Sequence, residues 1–117
     1  TKVIAAEPKG ADDAWQSFHA GKIIPSVKPK TIADGLLTSL GGLTYPIIRD
    51  YVDDIITVEE ASIIKAMRLV WERMKIIIEP SSAVPLAAVL ENKTRFRGMK
   101  IAIILSGGNI DLNKLPL

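Results

Sequence analysis

Apolar residues in this chain gather in two ways, as short unbroken runs and as stripes at helical spacing, and the two kinds alternate along the sequence. Lys2 to Ala6 is a short apolar run closed by Glu7-Pro8-Lys9-Gly10, which predicts a buried strand. Asp12 and Asp13 then open a helix reaching about Ala20, where acidic side chains suit the positive end of the dipole, and Gly21 stops it. Pro25 and Pro29 make residues 21–30 an irregular loop. Thr31-Ile-Ala-Asp-Gly35 ends on glycine, and the segment on to Gly42 is too glycine-interrupted to read as a helix. Leu43 to Tyr51 has helical spacing, with Pro46 tolerated in a first turn.

Asp54 to Val58 reads as a second strand. Thr57-Val-Glu-Glu60 fits a capping box, with Thr57 accepting from the Glu60 amide and the Glu60 side chain reaching back. The helix behind it carries Ile63, Met67, Val70 and Met74 on one stripe, widened by Ile64 and Trp71, and these read as core. Ile76 to Ile78 suits either a helix end or a strand. Pro80 starts another helix at its first position, with Ala83 to Glu91 as its body, and Pro85 is admissible only in the first turn. Arg95 to Met99 is a turn, and Lys100 to Leu105 reads as a third strand. This alternation predicts an α/β fold, a partial open parallel sheet with flanking helices. A parallel sheet wants both faces covered, so the first strand is expected to pair with polypeptide absent here. Thr1 leads straight into an apolar run, and residues 1–117 read as one partial domain entered midway.

Composition narrows the function classes. A chain of 117 residues, 48% hydrophobic and 24% charged, can bury a core. Its 15 basic and 13 acidic residues are dispersed, so no clustered face suggests nucleic acid. There is no cysteine, which excludes disulfides, thiolate metal sites and cysteine nucleophiles. No apolar run approaches the roughly 20 residues of a membrane helix. A cytoplasmic location is the default expectation. His19, the only histidine, lacks a partner at a recognisable spacing and reads as a helix residue rather than a base.

The chemistry-bearing segments lie at loop ends. Ser106-Gly107-Gly108-Asn109 follows the third expected strand, where open α/β sheets place ligands, although the same residues are ordinary turn formers. Glu7 to Asp13 crowds carboxylates and a carbonyl at a strand-to-helix junction, a set that suits a hard cation or simply the helix dipole. Gly35 permits close backbone approach, and Glu79 precedes a helix start as cap or site residue.

In succession stand Ala-Ala-Glu-Pro-x-x-Ala-Asp-Asp (Ala5 to Asp13), Thr-Ile-Ala-Asp-Gly (Thr31 to Gly35) and Ile-Ile-Arg-Asp-x-Val-Asp-Asp-Ile (Ile47 to Ile55). Trp-Glu-Arg-Met-Lys (Trp71 to Lys75), Glu-Pro-Ser (Glu79 to Ser81) and Ser-Gly-Gly-Asn-x-Asp-Leu (Ser106 to Leu112) follow them. Together they resemble the C-terminal part of the serine racemase and serine/threonine dehydratase family, fold-type II pyridoxal-phosphate enzymes. The resemblance covers essentially the whole chain. It implies that the Ser106 hydroxyl meets the cofactor's pyridine nitrogen, that Gly107 is a further cofactor-binding residue, and that Gly35 and Glu79 lie near the ring. Glu7, Asp13 and the Ala11 carbonyl match a divalent-cation site, for Mg²⁺ or Ca²⁺ with Mn²⁺ as a further candidate. Asn109 and Lys75 match positions associated with nucleotide in animal serine racemases, without extending ATP activation to this chain.

The resemblance also implies what the chain lacks. The family's Schiff-base lysine and glycine-rich phosphate loop lie upstream of the matched part, so the segment is expected to hold no catalytic residue and to be inactive alone. The expected activity of a complete chain is β-elimination from L-serine or L-threonine, giving a 2-oxo acid and ammonia. Serine racemase and a hydroxyaspartate-specific relative are the alternatives. The expected partners are a small amino acid, the missing N-terminal part and a second copy in a homodimer, with no nucleic acid or membrane. A non-catalytic binding or assembly module needing a partner chain is the rival of another class. A flavodoxin-like nucleotide binder is a weaker one, since Glu7 and Asp13 repel phosphate.

Overall fold

The computed structural model describes residues 1–115. Its elements run in the order β1 (Ile4–Pro8), α1 (Asp13–Ala20), α2 (Thr44–Tyr51), β2 (Asp54–Val58), α3 (Glu60–Met74) and α4 (Pro80–Glu91). Short 3₁₀ turns lie at Lys9–Ala11, Asp34–Leu36 and Leu112–Lys114. β1 and β2 pair in parallel, Ile4 opposite Asp54 and Pro8 opposite Val58, with α1 and α2 in the crossover.

Strand side chains alternate between faces, and the two faces of this ribbon meet different helices. Ile56 and Val58 join Ile63, Ala66, Met67 and Val70 of α3 and Ala83, Val84, Ala87 and Ala88 of α4 in one buried cluster. Ile55 is buried outside that cluster, on the side where α1 meets β2. α3 stops where Lys75 takes a left-handed conformation at φ 59° and its amide closes onto the Trp71 carbonyl. Gly21 ends α1 the same way at φ 70°, and its amide donates to the Ser17 carbonyl.

Several expectations are corrected. The first strand lies two residues later than its apolar run, because the ladder to β2 sets its limits and leaves Val3 half exposed. Lys100 to Leu105 forms no strand. A ladder needs a neighbour, and among the described residues only β1 and β2 are strands, paired with each other. Ile104 is accordingly 81% exposed. The capping box does not form. Thr57 stays in β2, Glu59 is the N-cap without a side-chain bond, and Glu60 bonds elsewhere. Met74, the last residue of α3, is 55% exposed and lies outside the buried cluster. Residues 76–78 are neither helix nor strand, with Ile78 buried and Ile76 and Ile77 exposed. Pro85 lies inside α4 rather than in its first turn. It removes the amide that would reach the Ser81 carbonyl, and the apolar face of Ala83, Val84, Ala87 and Ala88 holds the helix together despite that loss. Among the described residues no helix is long and apolar enough to cross a membrane.

Candidate cofactor site

The N-terminus of α4 gathers most of the residues expected near a ligand. Pro80 takes the first helical position, where its missing amide costs nothing, and its fixed φ aims Ser81 and Ser82 into the first turn. Glu79, the N-cap, has an extended backbone that turns its amide away from the helix. That amide donates to the Gly107 carbonyl at 3.0 Å. The Gly107 amide points to Ser82 Oγ at 3.4 Å, and the Asn109 amide donates to Glu79 Oε2 at 3.1 Å. Three bonds therefore tie Gly107 to Asn109 onto α4, replacing the sheet ladder that residues 100–105 lack.

Close packing explains the glycines. A β-carbon at Gly107 would stand 3.2 Å from Glu79 Oε1, and one at Gly108 would stand 2.5 Å from the Ile77 carbonyl oxygen. In the first turn of α4, Ser81 Oγ would stand 3.0 Å from a β-carbon at Gly35. That hydroxyl is buried and has no hydrogen-bond partner among the described residues. A buried unpaired hydroxyl costs on the order of 1–3 kcal/mol. Ser106, next in chain to Gly107, is exposed.

The structure thus brings Gly35, Glu79 and Gly107 together around α4, with Ser106 beside them. Ser81 and Ser82 escape the sequence reading as site residues, although a Ser-Ser pair just after a helix-starting proline is a visible signal. Lys75 is not joined to this group. Its ammonium donates to the Glu72 carbonyl at 2.7 Å, folding back on its own helix, while Asn109 faces Glu79.

A second cluster sits at the C-terminal end of β1. Glu7 accepts from the amides of Ala14 at 3.2 Å and Trp15 at 2.8 Å, capping α1 in place of Asp12, which bonds Gln16 instead. Asp13 Oδ2 accepts from the Leu40 amide at 3.2 Å. Burial raises Glu7 to about 7, and the charges of Asp13 and Asp12 add to it against the two amides. Asp13 is raised as well, chiefly by burial. Ala11, Asp12 and Asp13 line a recess of about 120 Å³ closed by Ile24 and Pro25. Two buried, mutually repelling carboxylates with a carbonyl nearby have the chemistry of a hard-cation site. Among the described residues no three His, Cys, Asp or Glu side chains gather around one point.

The site thus consists of a glycine-containing turn tied by hydrogen bonds to the start of α4. The family of pyridoxal-phosphate dependent enzymes matches residues 1–107, and the chain belongs to that family. It is 52% identical to a beta-hydroxyaspartate dehydratase from Paracoccus denitrificans (strain Pd 1222) over 116 residues, 99% of this chain and 37% of that protein. It is 56% identical to a serine racemase from Arabidopsis thaliana, over 97% of this chain and 36% of the relative. Among solved structures, the T.th. threonine deaminase superposes with a TM-score of 0.90 at 48% identity, covering 95% of this chain and 41% of that one. The chain spans little more than a third of the length of these curated relatives.

The residues present fit the cofactor in part. The Ser106 hydroxyl, the glycine backbone of Gly107 and the Glu79 carboxylate suit the edge of a pyridoxal ring. No lysine or arginine stands among them for a phosphate.

Proposed function

We propose that this chain is the C-terminal part of a pyridoxal-phosphate-dependent L-serine/L-threonine dehydratase, forming one wall of its active site. The observation that carries the reading is the tie between Glu79 and Gly107 at the start of α4, in a chain of this family. When bound, pyridoxal phosphate supplies the electron sink for charge at the substrate α-carbon. Ser106 offers the ring nitrogen a neutral hydroxyl, which does not force its protonation. The bonds around Glu79 hold residues 107–109 so that Ser106 is presented rather than buried. Glu79 would keep a carboxylate near the ring, and Gly35 would lie close to it. No lysine of this chain is assigned to the cofactor carbonyl, and the upstream polypeptide supplies it.

Serine racemase is the second reading, favoured by 56% identity to the plant enzyme, and a hydroxyaspartate dehydratase is the third, favoured by 52% identity. All three share the α-carbon chemistry and differ in what the upstream part does with it. Mg²⁺ or Ca²⁺ belongs to the same reading at Glu7, Asp13 and the Ala11 carbonyl, where a cation would offset the burial and, after it, the neighbouring Asp13 and Asp12 charges that raise Glu7. Nucleotide contacts at Asn109 and Lys75, a homodimer and a cytoplasmic location are carried by the family resemblance.

The test mixes this chain with the upstream polypeptide, pyridoxal phosphate and L-serine or L-threonine, and assays 2-oxo acid and D-serine. Product from the mixture only is expected, with 2-oxo acid exceeding D-serine. Turnover by this chain alone overturns the assignment of the lysine, and cofactor-independent complex formation without product favours an assembly module. Asp13→Ala is expected to abolish the stabilisation by Mg²⁺ or Ca²⁺, and an unchanged cation response rules out that site.

A further inference from the structure

Glu60 does not cap its own helix as its spacing from Thr57 predicts; its carboxylate crosses to the segment that leads into Gly35. Its Oε2 accepts from Thr31 Oγ1 at 3.1 Å and its Oε1 from the Ile32 amide at 2.9 Å. Thr31 Oγ1 in turn accepts from the Ala33 amide at 3.2 Å. Ala33 is fully buried, and its carbonyl accepts from the Leu36 amide at 2.9 Å, closing the turn that carries Gly35. The turn packs on α4, where Gly35 meets Ser81. The first turn of α3 suits an acidic side chain, and the two Glu60 oxygens each take one of these donors.

We propose that Glu60 is a positioning residue for the cofactor site, holding Thr31 and Ile32 so that the Gly35 turn seats against Ser81 at the start of α4. The proposal rests on the reading of Gly35 as a residue beside the ring. Glu60 does not touch the ligand; its effect passes through two hydrogen bonds and one tight turn. Glu91 offers a control: its carboxylate accepts from the amide of Glu59, the N-cap of α3, at 2.9 Å, and it bonds neither Thr31 nor Ile32.

The experiment measures pyridoxal phosphate affinity and the absorbance and fluorescence of the bound cofactor in holoenzyme assembled from this chain and the upstream polypeptide. Thermal stability is recorded without cofactor. Glu60→Ala is expected to weaken cofactor binding about tenfold and to shift the cofactor spectrum. Glu60→Gln, which keeps an acceptor for one of the two donors, should recover most of both. Glu91→Ala should lower apo stability by a similar amount and leave affinity and spectrum unchanged. Cofactor affinity within about twofold of wild type in Glu60→Ala, or an equal loss in Glu91→Ala, overturns the proposal. If Glu60→Ala does not fold, Thr31→Val decides, with a weaker loss expected and wild-type affinity refuting. A wild-type assembly that binds no pyridoxal phosphate overturns the functional reading itself, and this proposal with it.

Discussion

The Glu7 carboxylate accepts from the Trp15 amide at 2.8 Å, so the end of β1 caps the helix that follows it. The cap comes from outside the helix because Asp12, at the N-cap, makes no side-chain bond to the backbone. It places a carboxylate that is 9% exposed beside Asp13.

Stability should therefore fall as pH rises toward neutrality. Burial, then the charges of Asp13 and Asp12, lift Glu7 from 4.5 to about 7. Between these values the folded state keeps a proton that the unfolded chain has released, so folding loses ground as pH rises through that window. The loss is on the order of 2–3 kcal/mol, and Asp13, also raised, acts in the same direction. Urea midpoints of the metal-free protein between about pH 4.5 and 7.5 test this. Glu7→Gln should flatten most of the slope, and a flat wild-type profile refutes the assignment.

Close backbone approach makes two glycines costly to replace. A β-carbon at Gly10 would lie 1.9 Å from the Lys30 carbonyl oxygen, and one at Gly108 would lie 2.5 Å from that of Ile77. Neither neighbour is a flexible side chain, so Gly10→Ala and Gly108→Ala should each destabilise by about 1–3 kcal/mol. Gly42 has nothing within 4 Å, and Gly42→Ala should stay within about 0.5 kcal/mol. Equal denaturation midpoints for all three would contradict the packing described.

Met67 is fully buried between α3, α4 and β2. Met67→Ala should cost about 2–5 kcal/mol. Met74→Ala, at the exposed end of the same stripe, should cost under about 1 kcal/mol by thermal denaturation.

The Trp71 indole donates to the Ile78 carbonyl at 3.0 Å and fastens the link between α3 and α4. Trp71→Phe keeps an aromatic ring but leaves that carbonyl unpaired, and about 1–2 kcal/mol should be lost. Arg95→Ala removes an exposed ion pair to Asp54 at 2.7 Å, worth at most about 1 kcal/mol and weakening with salt. Denaturation in low and high salt separates the two, since only the Arg95 effect should shrink.

Much of the helical structure was legible because its signals are local. Gly21 and Pro80 punctuate the chain through their own backbone preferences, and Ile63, Met67 and Val70 recur at the helical period wherever the core lies. The order of the six short motifs, too, lies in the sequence alone, and it pointed to the family. Lys100 to Leu105 has the composition of a strand, yet a strand exists only against a neighbour, and the described residues offer none. Only the tertiary structure decided where Glu60 and Glu7 send their carboxylates and that Ser81 Oγ is left without a partner among the described residues. Those outcomes depend on which distant backbone amides arrive within hydrogen-bonding distance, a property of packing that no local spacing encodes.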